Sequence, residues 1–289
     1  MICTLCPRRC GALRTETEGR GFCAMPAALR VARAALHHWE EPVISGTRGS
    51  GTVFFSGCTL RCVYCQNHEI SAEGFGKPIT SARLREIFEE LIAQGAHNIN
   101  LVTPTHFLPW ILPALEEKLP VPVVYNCGGY ESVETLKMLE GKVDIYLPDL
   151  KYADGRLSAS LSAAPDYFPV ATAAIEEMVR QTGPCVVEDS LLRRGVVIRH
   201  LVLPGHLDNT KACIDYVART FRPGEVLFSL MAQYTPQPGA QGVLGRHVTR
   251  SEYRAAVEYM ENCGITAGFT QERTAAREEY TPPFDLTGI

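Results

Sequence analysis

The chain has 289 residues and a formal net charge of −4, with 46% hydrophobic and 21% charged residues. That length buries a full core and fits one large domain with an appendage, and the near-balanced charge gives no indication of a nucleic-acid binder. No apolar run reaches the roughly 18 residues that a membrane-spanning helix needs, and the first residues lack a basic stretch followed by an apolar one, so neither membrane insertion nor secretion is expected. Eleven cysteines, odd in number and mostly clustered, point to metal ligation in a reducing cytoplasm rather than to a disulfide framework.

Residues 1–50 read as a separate, cysteine-rich metal-binding extension, and residues 51–289 as the main domain. The extension holds Cys3, Cys6, Cys10 and Cys23 and shows little strand periodicity. Four thiolates close a metal site completely, so such a site is structural or passes electrons. Zinc and an iron–sulfur cluster both fit, with zinc or another structural metal slightly preferred, and a segment this poor in apolar residues needs the metal to fold. Its arginines outnumber its glutamates, which reads as a solvated basic face in preference to a phosphate or acidic-partner site. A glycine-rich joint, Ser45 to Gly51, follows.

From residue 52 short apolar strands alternate with amphipathic helices. Strands are expected at 52–56, 98–102, 121–126, 143–147, 196–203 and 226–230, with a short apolar stretch at 265–269. Helices are expected at 81–94, 107–118, 132–139, 166–181, 208–221 and 251–262, the last opening on the capping-box pattern of Thr249 and Glu252. Such alternation predicts parallel βα units. Six units fall two short of a closed (β/α)8 barrel, so an open partial barrel is the expected fold, with a doubly wound sheet as the alternative. Either way, ligands gather at the C-terminal ends of the strands.

The first of those ends carries Gly57-Cys58-Thr59-Leu60-Arg61-Cys62-Val63-Tyr64-Cys65-Gln66-Asn67. Three thiolates from one loop can hold a [4Fe–4S] cluster and leave one iron without a protein ligand. A zinc site is the competing reading, with His68 as a fourth ligand. Polar and glycine residues recur at the other strand ends: Thr103-Pro104-Thr105-His106, Asn126-Cys127-Gly128-Gly129, Pro148-Asp149-Leu150-Lys151, Arg199-His200 and Gln233-Tyr234.

The cysteine loop with its aromatic residue before the third cysteine, the Asp-Leu-Lys at 149–151 and the Ile-Arg-x-x-Val-x-Pro-Gly at 198–205 together resemble the radical S-adenosylmethionine (SAM) enzymes. Within them they are similar to the pyruvate formate-lyase activating enzymes, and most to a poorly characterised branch of activator homologues with extra N-terminal cysteines. The resemblance covers essentially the whole chain. It implies a partial (β/α)6 barrel in which Cys58, Cys62 and Cys65 ligate the [4Fe–4S] cluster and the open iron binds SAM. It also implies that Asn67, Asp149, Lys151 and Arg199 contact or support SAM. Thr103 and Thr105 stand where many relatives have a Gly-Gly-Glu-like turn for the SAM amino group, and Gly128-Gly129 would allow the backbone close to the cofactor.

The implied activity is reductive cleavage of SAM to a 5′-deoxyadenosyl radical that abstracts a substrate hydrogen. Activation of a glycyl-radical enzyme is one version, with flavodoxin or ferredoxin as electron donor. Modification of another small or large substrate is the second version, and a non-catalytic metal-binding scaffold is the alternative. His106, His200 and His206 are candidate proton donors or SAM partners against the commoner structural role, and Cys127 reads as a small buried thiol.

Overall fold

A computed structural model describes residues 2–271 and 281–289. In chain order the strands are β1 (Leu29–His37), β2 (Ser50–Phe55), β3 (Lys77–Ile79), β4 (Ile99–Val102), β5 (Val123–Cys127), β6 (Ile145–Pro148), β7 (Val186–Glu188), β8 (Leu191–Leu201), β9 (Leu227–Met231) and β10 (Gly268–Thr270). The helices are α1 (Pro42–Ser45), α2 (His68–Ser71), α3 (Ser81–Ala93), α4 (Leu108–Ile111), α5 (Val133–Lys137), α6 (Gly155–Ser162), α7 (Tyr167–Thr182), α8 (Leu207–Thr220) and α9 (Arg250–Asn262).

Strands β2, β4, β5, β6, β8, β9 and β10 pair in parallel, in that order, and the sheet does not close. The order never reverses. With right-handed crossovers, every connection then lies on the same side of the sheet, which is the logic of a partial barrel and not of a doubly wound sheet with its switch point. Burial agrees: β2, β4, β5 and β6 are buried along their whole length, as strands covered on both faces must be.

Local signals account for the helix starts. The Thr80 hydroxyl accepts the Arg83 N–H at the start of α3, the Ser132 hydroxyl accepts from Thr135 at α5, and Thr249 with Glu252 forms the full capping box of α9. These caps satisfy backbone donors that the first turn leaves unpaired. The single helix expected over 107–118 is instead a 3-10 turn (Thr105–Phe107), α4 and a second 3-10 turn (Leu112–Leu115). Pro109 and Pro113 remove two backbone donors and clash with the preceding turn.

Two additions were not visible in the strand pattern. The hairpin β7–β8 turns through Asp189 (φ 50) and Ser190 (φ 64), the two consecutive positive φ values of a tight hairpin turn. Strand β1 lies within the segment assigned from sequence to the extension and pairs antiparallel with both β2 and β3. It contains three alanines and two arginines, a composition with little strand propensity.

Candidate active site

One cleft at the C-terminal ends of the parallel strands is lined by residues from nearly every βα unit. Cys58, Cys62 and Cys65 come from the loop after β2, with Asn67 at the entrance to α2. Thr103 follows β4, Asn126 and Gly128 come from the end of β5, Asp149 and Lys151 follow β6, Arg199 lies on β8, and Met231 and Gln233 come from the end of β9. The fold thus brings Cys58, Cys62, Cys65, Asn67, Thr103, Asp149, Lys151 and Arg199 into one cavity, while Thr105, His106, His200 and His206 do not line it.

The cysteine loop is held in shape from beneath. Gly57 has φ 81, and a Cβ there would lie 2.2 Å from the Cγ of Met25, so the turn into Cys58 needs a residue without a side chain. Each thiol has its own donor: the Leu60 N–H to Cys58 at 3.3 Å, the Ser162 hydroxyl to Cys62 at 2.9 Å, and the Ser71 hydroxyl to Cys65 at 3.3 Å. The Tyr64 ring before the third cysteine is buried, and its hydroxyl accepts from Tyr152, which in turn is hydrogen-bonded to Ser162. Burial, and then the neighbouring Cys62 and Cys65, push the Cys58 thiol up to about 12. Three thiols whose charges oppose one another, each supplied with a donor, fit a cationic iron–sulfur centre, since metal coordination removes the cost of ionising them. His68, the fourth ligand of the zinc alternative, is instead half-exposed beside Glu73 at 3.7 Å and does not line the cleft.

Beside the cluster loop, buried charges fill the barrel interior. Arg199 donates to Asp149 at 2.9 Å, to Glu40 at 3.2 Å and to the Asn126 carbonyl oxygen at 2.7 Å. Lys151 pairs with the other oxygen of Asp149. Glu40 also accepts from Asn100 and Asn126, each at 3.2 Å. Burial pushes the Asp149 carboxyl up, but Arg199 and Lys151 more than reverse this and hold it below its usual range. Burial raises Glu40 and Glu41, and Arg199 offsets this only in part. The three carboxylates thus face two cations, and Glu41 Oε2 has no hydrogen-bond partner among the described residues. A second cavity, lined by Trp39, Glu41 and β10, meets the first at Arg199, Met231 and Gln233.

Several sequence expectations are resolved by contacts. Gly129 (φ 78) does not face the cleft: its missing Cβ admits the Asp149 carbonyl oxygen, 2.0 Å from where a Cβ would sit. The freedom there serves packing, and only Gly128 of the pair reaches the cavity wall. Thr105 is buried, and its hydroxyl donates to Glu131 at 3.0 Å. The His106 Nε2–H donates to the Ser56 carbonyl at 2.7 Å, and His200 is satisfied by the Leu150 carbonyl and the Thr210 hydroxyl. Burial lowers both rings to about 4, so they are neutral, and neither lines the cleft. Cys127 is buried at the cleft wall. Glu40 and Asn100 had no sequence signal as site residues. The one clue is that an arginine inside a barrel strand needs buried acidic partners, and Asp149 alone must also serve Lys151.

A model of the radical SAM superfamily matches residues 52–216, more than half of the chain. A Methanocaldococcus jannaschii protein described as uncharacterized, MJ0674, is 32% identical over 91% of this chain and 75% of its own length. The chain belongs to the radical SAM superfamily, whose members use an iron–sulfur cluster with SAM. Among solved structures, Streptococcus suis SuiB bound to S-adenosylmethionine superposes with a TM-score of 0.53 at 13% identity, covering 75% of this chain and 48% of SuiB. The chain thus spans about half the length of SuiB. Methylornithine synthase (PylB) superposes with a TM-score of 0.50 at 16% identity, over 72% of this chain and 60% of that one. At these identities both likenesses speak for the fold alone. Among the described residues no helix is long and apolar enough to cross a membrane.

Proposed function

We propose that Cys58, Cys62 and Cys65 bind a [4Fe–4S] cluster, that SAM binds beside it, and that the enzyme cleaves SAM reductively to abstract a hydrogen from a second substrate through a 5′-deoxyadenosyl radical. The observation that carries this reading is the convergence of three donor-supplied thiols with Asn67, Thr103, Asp149, Lys151 and Arg199 on one cleft. When bound, the cluster supplies the electron and the open coordination site. The protein's own part is to orient SAM and screen its charge. Both oxygens of Asp149 are engaged by cations, yet a carboxylate has lone pairs to spare for a ribose hydroxyl. Lys151 and Arg199 put cationic N–H donors on the cavity wall, each already paired with a carboxylate.

Activation of a glycyl-radical enzyme, with flavodoxin or ferredoxin as electron donor, is the substrate reading taken from the sequence resemblance. Modification of another substrate is the second version. A reducing cytoplasm as the site of action belongs to this reading, because thiolate ligands to iron must stay reduced. A metal at Cys3, Cys6, Cys10 and Cys23 belongs to the same proposal.

The test is 5′-deoxyadenosine formation by anaerobically prepared protein with a strong reductant, alongside iron content. Wild type is expected to form it, and the Cys58→Ala, Cys62→Ala, Cys65→Ala triple variant is expected to lose both the product and the loop's iron. Unchanged iron in the triple variant would sink the three-thiolate assignment.

A further inference from the structure

We propose that the cavity beside the cysteine cleft is the substrate pocket, and that Glu41 receives a primary ammonium group of the substrate there. The ammonium site stands on the cavity alone; that its occupant is the substrate rests on the function proposed above.

The cavity lies at the seam where the sheet fails to close. One side is the segment after β1, with Trp39, Glu40, Glu41 and Pro42, and the other is β10 with Gln271. Strand β9 adds Ser229 and Met231. The volume of about 340 Å³ is near the lower limit of ligand pockets, which suits a small molecule or a single extended side chain.

Glu41 is only 8% exposed, and its Oε2 has no hydrogen-bond partner among the described residues. Buried acceptors are rarely left in this state, and a buried charge needs a partner. The neighbouring cations are already committed. Arg199 directs its donors to Asp149, Glu40 and Asn126, and Lys151 pairs with Asp149. Among the described residues Glu40, Glu41 and Asp149 thus share two cations, and the site is short of one positive charge. Burial raises the Glu41 carboxyl and Arg199 offsets this only in part, so an incoming cation returns it to the charged form. Of the two Glu41 oxygens only Oε2 is both enclosed and unpartnered. One such acceptor suits the point charge of an ammonium, whereas a planar guanidinium asks for two. Met231, Phe269 and Trp39 line the same cavity and offer an apolar wall to the carbon stem of an amine.

The ammonium is not that of SAM. On the proposed function SAM meets the iron held by Cys58, Cys62 and Cys65, and no residue of that loop lines this cavity. The two cavities nevertheless share Arg199, Met231 and Gln233. Gln233 ties the shared wall together. Its backbone carbonyl accepts from Gln66 of the cysteine loop at 3.0 Å, and its side-chain oxygen accepts from Gln271 at 3.1 Å. A molecule anchored by nitrogen at Glu41 therefore has an open path past Gln233 into the cleft where the hydrogen is taken.

The experiment is a ligand-observed NMR titration of anaerobically prepared full-length protein with n-butylammonium. The controls are butyramide, which has no charge, and tetramethylammonium, which has the charge but no N–H. Wild type is expected to bind n-butylammonium at least about tenfold more tightly than either control, with or without SAM, and Glu41→Gln to lose that preference. Without ligand, Glu41→Gln should melt no lower than wild type, because it removes a stranded charge. Absent or equal binding of the three probes to wild type, displacement of n-butylammonium by SAM, or a lower melting temperature in the variant overturns the site. The wild-type arm stands even if the variant fails to fold. A second probe, Nα-acetyl-lysine N-methylamide, separates two sources of the same group. Tighter binding than n-butylammonium assigns the ammonium to a lysine side chain of a peptide, and binding no tighter assigns it to a free amine; either result keeps the site. Binding is read without SAM cleavage, so failure to form 5′-deoxyadenosine and failure of this inference are separate results.

Discussion

Replacing Arg199 with methionine is the sharpest test of the charged barrel interior. The guanidinium bridges Asp149 and Glu40, and the three side chains are only 10–14% exposed. Removing one member of a buried ion pair leaves the others uncompensated, at a cost of about 3–5 kcal/mol. At about 2–4 °C per kcal/mol for a chain somewhat shorter than this one, the expected drop in Tm is roughly 6–20 °C. Circular-dichroism melts of anaerobically prepared protein read it. Without the guanidinium, Asp149 and Glu40 take up protons more readily in the folded state. A carboxyl whose folded pKa rises contributes stability that is present at low pH and lost as pH rises. The deficit of Arg199→Met should therefore shrink as pH falls from about 8 to about 5. Adding Glu40→Gln should recover part of the loss, since it removes one stranded carboxylate. A destabilisation below about 1 kcal/mol, the size of a solvated surface pair, would refute the reasoning.

Asp149→Asn preserves shape and should weaken SAM binding about two- to tenfold, the worth of one hydrogen bond to a neutral hydroxyl, with iron content near wild type. Equal SAM affinity by equilibrium dialysis would remove Asp149 from the SAM contact. Burial pushes the Glu131 carboxyl up to about 7, with donors from Thr105 and Tyr125 offsetting it only in part. The folded state then holds the proton more tightly than the unfolded one, so stability falls as pH rises from about 4.5 through about 7, by up to about 3 kcal/mol. Urea midpoints at the two ends of that window should show this slope in wild type and not in Glu131→Gln, and an unchanged slope in the variant would contradict it. Gly57→Ala forces a side chain into a positive-φ turn against Met25. It should lower iron retention after anaerobic purification, and wild-type iron content would show that the turn tolerates a Cβ.

The parallel strands were legible because each is a short apolar run bounded by turn residues, and the cleft because its polar residues cluster where those runs end. Strand β1 was not, since its alanines and arginines satisfy neither the apolar run nor a clean alternation. The broken helix at 107–118 had its cause in plain view: the apolar spacing continues through Pro109 and Pro113, but the hydrogen-bond ladder cannot. Glu40 was the costliest omission. A glutamate beyond an unrecognised strand looks like a solvated charge, and only the three-dimensional pairing puts it against Arg199.

That pairing changes how the first 50 residues relate to the site. Strand β1 delivers Glu40 into the barrel, where it reaches Asn100, Asn126 and Arg199 on three different strands. Arg8 and Met25 brace the cysteine loop from outside, and Thr135, at the first turns of α5, donates its hydroxyl to the Leu5 carbonyl. The segment thus touches both the charge network and the thiol loop, while its four cysteines stay outside the cleft. A metal there would order the very residues that set the electrostatics and the backbone path of the cluster loop. Metal content at the N-terminus and the behaviour of the Cys58 loop should therefore be coupled through these contacts, whichever substrate the enzyme takes.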